Sequence, residues 1–229
     1  MTKLSLLPGY SAYIDHDGRS VADVLAALEY GDGLSIESFT ATPSVIETGT
    51  TDAEIALDWS ISGTVTGQTL TDSVDGVIAL GDPVADRSAS QGGVDSTRTF
   101  TLSASNAGAP GGPDTKTATA SVAIQSRFYT GPAAGTSPSD TALRALPING
   151  FATTRARTVT YDCTGGRYPC YAWPAALGTL SSVKVGGLSF SDFTVTTRDV
   201  VNAQGAPVSM NILVFNTLQN GAAIEVQFA

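Results

Sequence analysis

The sequence predicts a mostly β protein: an immunoglobulin-like β-sandwich, then a C-terminal β domain, with one short amphipathic helix in front. Three observations predict it. From Ile36 onward, apolar and polar residues alternate with period two in a series of short runs. Gly, Pro and Asp clusters separate those runs at the spacing of a sandwich. Charged residues make up only 14% of the 229, while glycines number 24 and Ser, Thr and Val are plentiful. That composition suits strands joined by tight turns and argues against disorder.

The front element is an arm, residues 1–35. Within it SVADVLAALEYG (20–31) reads as a helix: Ser20 and Asp23 have capping-box spacing, and Gly31 stands at the C-terminal stop. Val21, Val24, Leu25 and Leu28 fall at i, i+3, i+4 and i+7, forming one apolar stripe. A helix of this length is marginal alone in water, so the stripe needs a cover. Ahead of it, MTKLSLLPGYSAY has an apolar run broken by Pro8 and lacks the core of a secretory signal. No segment approaches the ~20 apolar residues of a membrane span.

The sandwich is expected over residues 36–127. Its strands are IESFTAT (36–42), AEIALDWSIS (53–62), GQTLTD (67–72), DGVIAL (75–80), TRTFTLSAS (97–105) and TATASVAIQ (117–125). Ile55, Leu57, Trp59 and Ile61 point one way and Ala56, Asp58 and Ser60 the other, which marks a half-buried strand with a core Trp. Phe100, Leu102 and Ala104 repeat the pattern. This stretch contains no cysteine, so its core holds by packing alone. Residues 128–147 read as a Gly/Pro-rich linker in which Ser139 caps one helical turn ending at Pro147. The rest of the C-terminal domain, 128–229, returns to strands: ARTVTYDC, CYAWPA, SSVKV, DFTVTT, SMNILVFN and AIEVQF.

The net charge of −9 sits in the front half. Residues 1–127 carry 16 acidic and 6 basic residues, and residues 128–229 carry 5 and 6. Nucleic-acid binding needs a basic face, so this balance argues against it. The single histidine, His16, has no nucleophile motif near it and builds no triad. Asp15-x-Asp17-Gly18 lacks the remaining ligands of a calcium loop and reads as a turn. The loop acids Asp72, Asp75, Asp82 and Asp86 are the candidates for gathering round an ion, without a pattern that makes them converge. Paired-carboxylate glycoside hydrolysis is disfavoured, because aromatic residues are only 7% and the acids lie in turns. These readings point to no enzyme, no cofactor and no metal.

Cys163 and Cys170 flank TGGRYP, and two further zinc ligands are missing. A four-residue turn sets them opposite each other and permits a disulfide; a two-residue turn leaves two free thiols. Tyr168, Tyr171 and Trp173 interleave with prolines in RYPCYAWPAALG. That cluster reads either as the packed corner of a β domain or as a glycan-stacking surface.

Taken in order, RSVADVLAALEYGDG, SFTATPSVIETGTTDAEIALDWSISG, TRTFTLSAS, TKTATASVAIQSRFYTGP and RYPCYAWPAALGTLSSVKVGG resemble tailed-bacteriophage virion proteins. In that group a helical arm precedes an Ig-like domain and a C-terminal β domain. The group's aromatic-aromatic-A-x-P-A-x-x-G segment is matched by Tyr171, Ala172, Trp173, Pro174, Ala175 and Gly178. This chain differs in its insert GDPVADRSASQGGVD (81–95), its cysteine pair and the lack of a coiled-coil stalk.

The resemblance implies a structural subunit of the tail, baseplate or capsid exterior, located in the virion and assembled in the host cytoplasm. Its partners would be copies of itself, in a homotrimer gathered through the helix stripe, and other virion proteins. The alternative is a host adhesin that binds a surface glycan through Tyr168, Tyr171 and Trp173. Neither reading calls for a nucleic acid or a membrane.

Overall fold

The computed structural model describes residues 33–109 and 113–229, and it is mostly β. The chain divides into two compact units: the first contains Glu54–Val122 and residues up to Ser44, the second Val45–Ala53 and Ala123–Ala229. The expected helix at 20–31, with Val21, Val24, Leu25 and Leu28, lies outside the described residues, as do Asp15, His16 and Asp17.

In the first unit β1 (Ser35–Thr42), β3 (Ala53–Ser62) and β6 (Ser88–Val94) form a sheet in the order β1-β3-β6. The facing sheet runs β8 (Asp114–Gln125), β7 (Arg98–Asn106), β4 (Gly67–Asp72), β5 (Gly76–Ile78). Counted within this unit, the first, second and fifth strands face the third, fourth, sixth and seventh, an immunoglobulin-like arrangement with the fourth strand beside the third. Ile55, Leu57 and Trp59 on β3 are buried while Glu54, Ala56, Asp58 and Ser60 are exposed. The period-two pattern thus survives intact, and Leu70, Val94, Phe100, Leu102, Ala104 and Val122 are buried with it. The Trp lies on β3, whereas antibody domains carry theirs one strand later beside a disulfide.

Buried Gln68 does the work of a staple. Its side-chain oxygen accepts the Trp59 indole N–H at 2.7 Å, and its amide donates to the carbonyls of Val84 and Asp86. Asp82 in turn accepts the N–H groups of Val84 and Ala85, a local Asx turn. The 81–95 insert is therefore pinned: its first half is a hydrogen-bonded turn and its second half is β6.

In the second unit, β2 (Val45–Glu47) runs parallel to the last three residues of β8. Five strands, β10 (Ile148–Phe151), β9 (Arg127–Ala133), β12 (Tyr168–Pro174), β16 (Pro207–Phe215) and β15 (Phe193–Val201), form an antiparallel sheet in that order. A second sheet runs β11 (Arg157–Tyr161), β17 (Ile224–Phe228), β13 (Val183–Val185), β14 (Leu188–Ser189). Phe128, Tyr171, Trp173, Leu213 and Phe215 from the first sheet pack with Val159, Tyr161, Val183, Val226 and Phe228 from the second.

The opposite face of the five-stranded sheet is covered as well. Tyr129, Cys170, Ala172, Met210, Ile212 and Val214 meet Leu143 and Leu146 there. These leucines come from α1 (Asp140–Arg144) and the turn behind it. Coverage on both sides explains why CYAWP and MNILVF are continuous apolar runs where a half-exposed strand would alternate.

Ser139 caps α1, accepting the Ala142 N–H at 3.2 Å. The rest of the expected linker 128–147 is a correction. Residues 127–133 form β9, an interior strand pairing with β10 and β12. Gly131 and Pro132 suggest a turn but have tertiary reasons. A Cβ on Gly131 would come within 2.3 Å of Pro147 Cδ, so only glycine lets the chain return this closely. Pro132 faces Pro169 across the ladder, so both missing donors fall on one rung.

Candidate functional site

The structure takes two of the sequence-based candidates apart. Tyr171 and Trp173 are core residues, 0% and 1% exposed, stacked on each other with centroids 5.0 Å apart. Tyr171 also packs on Phe228; its hydroxyl donates to the Arg155 carbonyl, and the Trp173 indole donates to that of Gly178. The glycan platform of Tyr168, Tyr171 and Trp173 is thus withdrawn: the second sheet occupies the ring faces a sugar would need. Tyr168 is half-buried on the opposite face of its strand, against the α1 side.

Cys163 and Cys170 are both buried free thiols. Strand parity separates them. Cys170 alternates with Tyr171 and so faces the α1 layer, whereas Cys163 packs in the layer between the two sheets. The sheet itself stands between the sulfurs, so the C-x6-C spacing does not become a disulfide. Burial raises both thiol pKa values, that of Cys170 to about 12. Neither is a ready nucleophile at neutral pH.

The loop acids do not converge on an ion. Asp72 and Asp75 both bind the Arg98 guanidinium, and Asp82 and Asp86 hold the staple turn. Among the described residues no three His, Cys, Asp or Glu side chains gather as a metal would require. The buried Thr130 and Tyr161 hydroxyls, 2.6 Å apart, both reach the Cys170 carbonyl. Desolvation pushes the Tyr161 phenol far above its ordinary range, making it a structural donor and not a titrating acid. Glu47 bonds Arg127 through one carboxylate oxygen, and the other is buried without a partner among the described residues. The nearby crevice lined by Arg127, Tyr129 and Asn202 has no room for a water molecule.

The feature best equipped to bind something was missed in the sequence. β15 is the outer strand of its sheet, paired with β16 over nine residues from Phe193–Phe215 to Val201–Pro207. At Val201 the N–H reaches Asp140 Oδ2 at 2.9 Å, and the carbonyl accepts from Arg144. Both groups therefore point away from β16, which agrees with the missing donor at Pro207 opposite. Since direction alternates along a strand, the N–H and C=O of Phe193, Val195 and Thr197 also point outward. The Asp199 carbonyl, of the same parity, is taken by Arg198. One end of the edge is thus capped by α1 and its arginine partners. At the other end, FTVTT, the outward backbone groups meet no partner among the described residues.

A recess of about 170 Å³ lies beside that bare stretch, lined by Trp173, Leu180, Val183, Phe193, Val195 and Leu213, with Thr179, Ser181 and Ser182 at its polar side. Phe193 and Val195 belong to the free edge itself. The volume is close to that of an engineered cavity of ~150 Å³ that takes benzene, and well under the ~300 Å³ and more of small-molecule sites. One leucine-sized or aromatic side chain fits. FTVTT was legible as a strand, but its place at an edge depends on which strands pair.

No protein-family model matches the chain, and no curated protein is similar to it. No helix among the described residues is long and apolar enough to cross a membrane.

Proposed function

We propose that the chain is a structural subunit of a tailed-phage virion, on the tail, baseplate or capsid exterior, acting through assembly and not through catalysis. The observation that carries the assembly reading is the bare FTVTT edge beside a recess of one side chain's volume. Such a pair recognises polypeptide backbone and one apolar residue, which is how strands join other chains. The order of the sequence segments, from the helical arm to RYPCYAWPAALG, supports the phage assignment. Two tightly cored β units are suited to serve as rigid spacers, and repeated weak contacts between copies gain strength by multivalency.

Native mass spectrometry of the purified chain and immunogold labelling of particles from a producing culture test both halves. A homo-oligomer, expected as a trimer, and gold on particles support the reading. A chain that stays monomeric at high concentration removes self-assembly, and bare particles remove the virion assignment.

A further inference from the structure

We infer that the bare β15 edge receives residues Lys3–Leu7 of a second copy as an added strand, with a leucine seated in the recess. This rests on the self-assembly reading and names the segment that does the joining. Among the described residues nothing covers this edge, Phe193–Thr197 contains no charge, no proline and no glycine, and its outward groups at 193, 195 and 197 make a ready template. Val195 is 44% exposed although it lines an apolar recess. An added strand would cover both.

The occupant follows from the part of the chain outside the described residues. In Lys3-Leu4-Ser5-Leu6-Leu7, Leu4 and Leu6 share one strand face at i, i+2, and Lys3, Ser5 and the terminal Leu7 share the other. Pro8-Gly9 then ends pairing, which limits the insert to about the length of the bare stretch. Residues 8–32 separate this segment from the first described residue; with the 12 residues of the expected helix 20–31 rising 1.5 Å each and the other 13 extended, they span up to ~60 Å, several times the ~13 Å radius of gyration of a 100-residue domain. That length is ample to reach a neighbouring copy. Backbone bonds supply the affinity, and the leucine in the recess selects the register.

The test compares the full-length chain with three variants by native mass and with a fluorescent peptide of residues 2–8. Leu4→Asp/Leu6→Asp should drop the oligomer to monomer and leave the edge vacant, so that it binds the peptide saturably. Val195→Pro should also give monomer and weaken peptide binding at least ~10-fold in the Leu4/Leu6 background. The Val195 N–H faces away from β16, so proline removes no ladder bond. Val195→Lys, an edge charge, is the second variant should proline disturb folding.

An oligomer indifferent to Leu4→Asp/Leu6→Asp overturns the inference while leaving self-assembly standing. So does a vacated chain that ignores the peptide, or one whose binding survives both Val195 changes. A wild-type monomer overturns the assembly reading itself, and this inference with it.

Discussion

Replacing Arg98 by Met tests how the first unit holds the deeply buried Arg98–Asp72 ion pair. Arg98 is 4% exposed and the Asp72 side chain is fully buried; the two meet at 2.7 Å. Among the described residues Asp72 has one other donor, the Val74 N–H at 2.8 Å. Asp75 and Asp95, the other acids on Arg98, are 49% and 60% exposed, so water takes over when the guanidinium leaves. Their loss costs well under ~1 kcal/mol each. Asp72 has no such recourse, and an uncompensated buried carboxylate costs about 3–5 kcal/mol. Methionine keeps most of the apolar stem, which isolates the charge. At ~4–8 °C per kcal/mol for a unit of this size, melting falls by roughly 12–40 °C.

The assay is urea unfolding followed by Trp59 emission in a Trp173→Phe background, where Trp59 is the sole indole. The double change Asp72→Leu/Arg98→Met removes both charges and should recover most of the loss, ending within ~2 kcal/mol of the parent. A single-variant loss below ~1 kcal/mol refutes the reasoning. So does a double variant worse than the single, which would make packing and not the stranded charge the source of the cost.

Trp173→Ala should destabilise the second unit by about 3–5 kcal/mol, since it removes a core ring; scanning calorimetry checks this, and an unchanged melt would return Trp173 to the surface. Native Cys163 and Cys170 should resist a thiol reagent at pH 8 and react as two thiols only in denaturant. Rapid labelling of either in the folded chain would contradict the burial. The Asp140 carboxyl is held below its ordinary range by the Arg198 hydrogen bond and then by the Val201 N–H. Its contribution is therefore present above the ordinary carboxylate range and lost as pH falls through the depressed value. With Asp140 28% and Arg198 37% exposed, that loss is under ~1 kcal/mol. Asp140→Asn should flatten this part of the acid limb, and an unaltered limb would assign it to other groups.

The sequence by itself determined the local structure. Period-two alternation placed β3 and β7 with the correct inward residues, because a strand half in water must alternate. Ser139 marked the start of α1, because a helix terminus leaves N–H groups that only a neighbouring oxygen satisfies. Tertiary structure decided what lies opposite each face. β9 read as linker because Gly131 and Pro132 usually mark turns, and only the approach of Pro147 and the facing Pro169 makes them strand residues. Tyr171 and Trp173 read as a packed corner or as a binding surface, and the second sheet that covers them decided for the core. The cysteines, seven residues apart, ended on opposite sides of one sheet. The bare edge at Phe193–Thr197 followed from pairing order alone: whether a strand has one neighbour or two is a property of distant residues, and no local pattern encodes it.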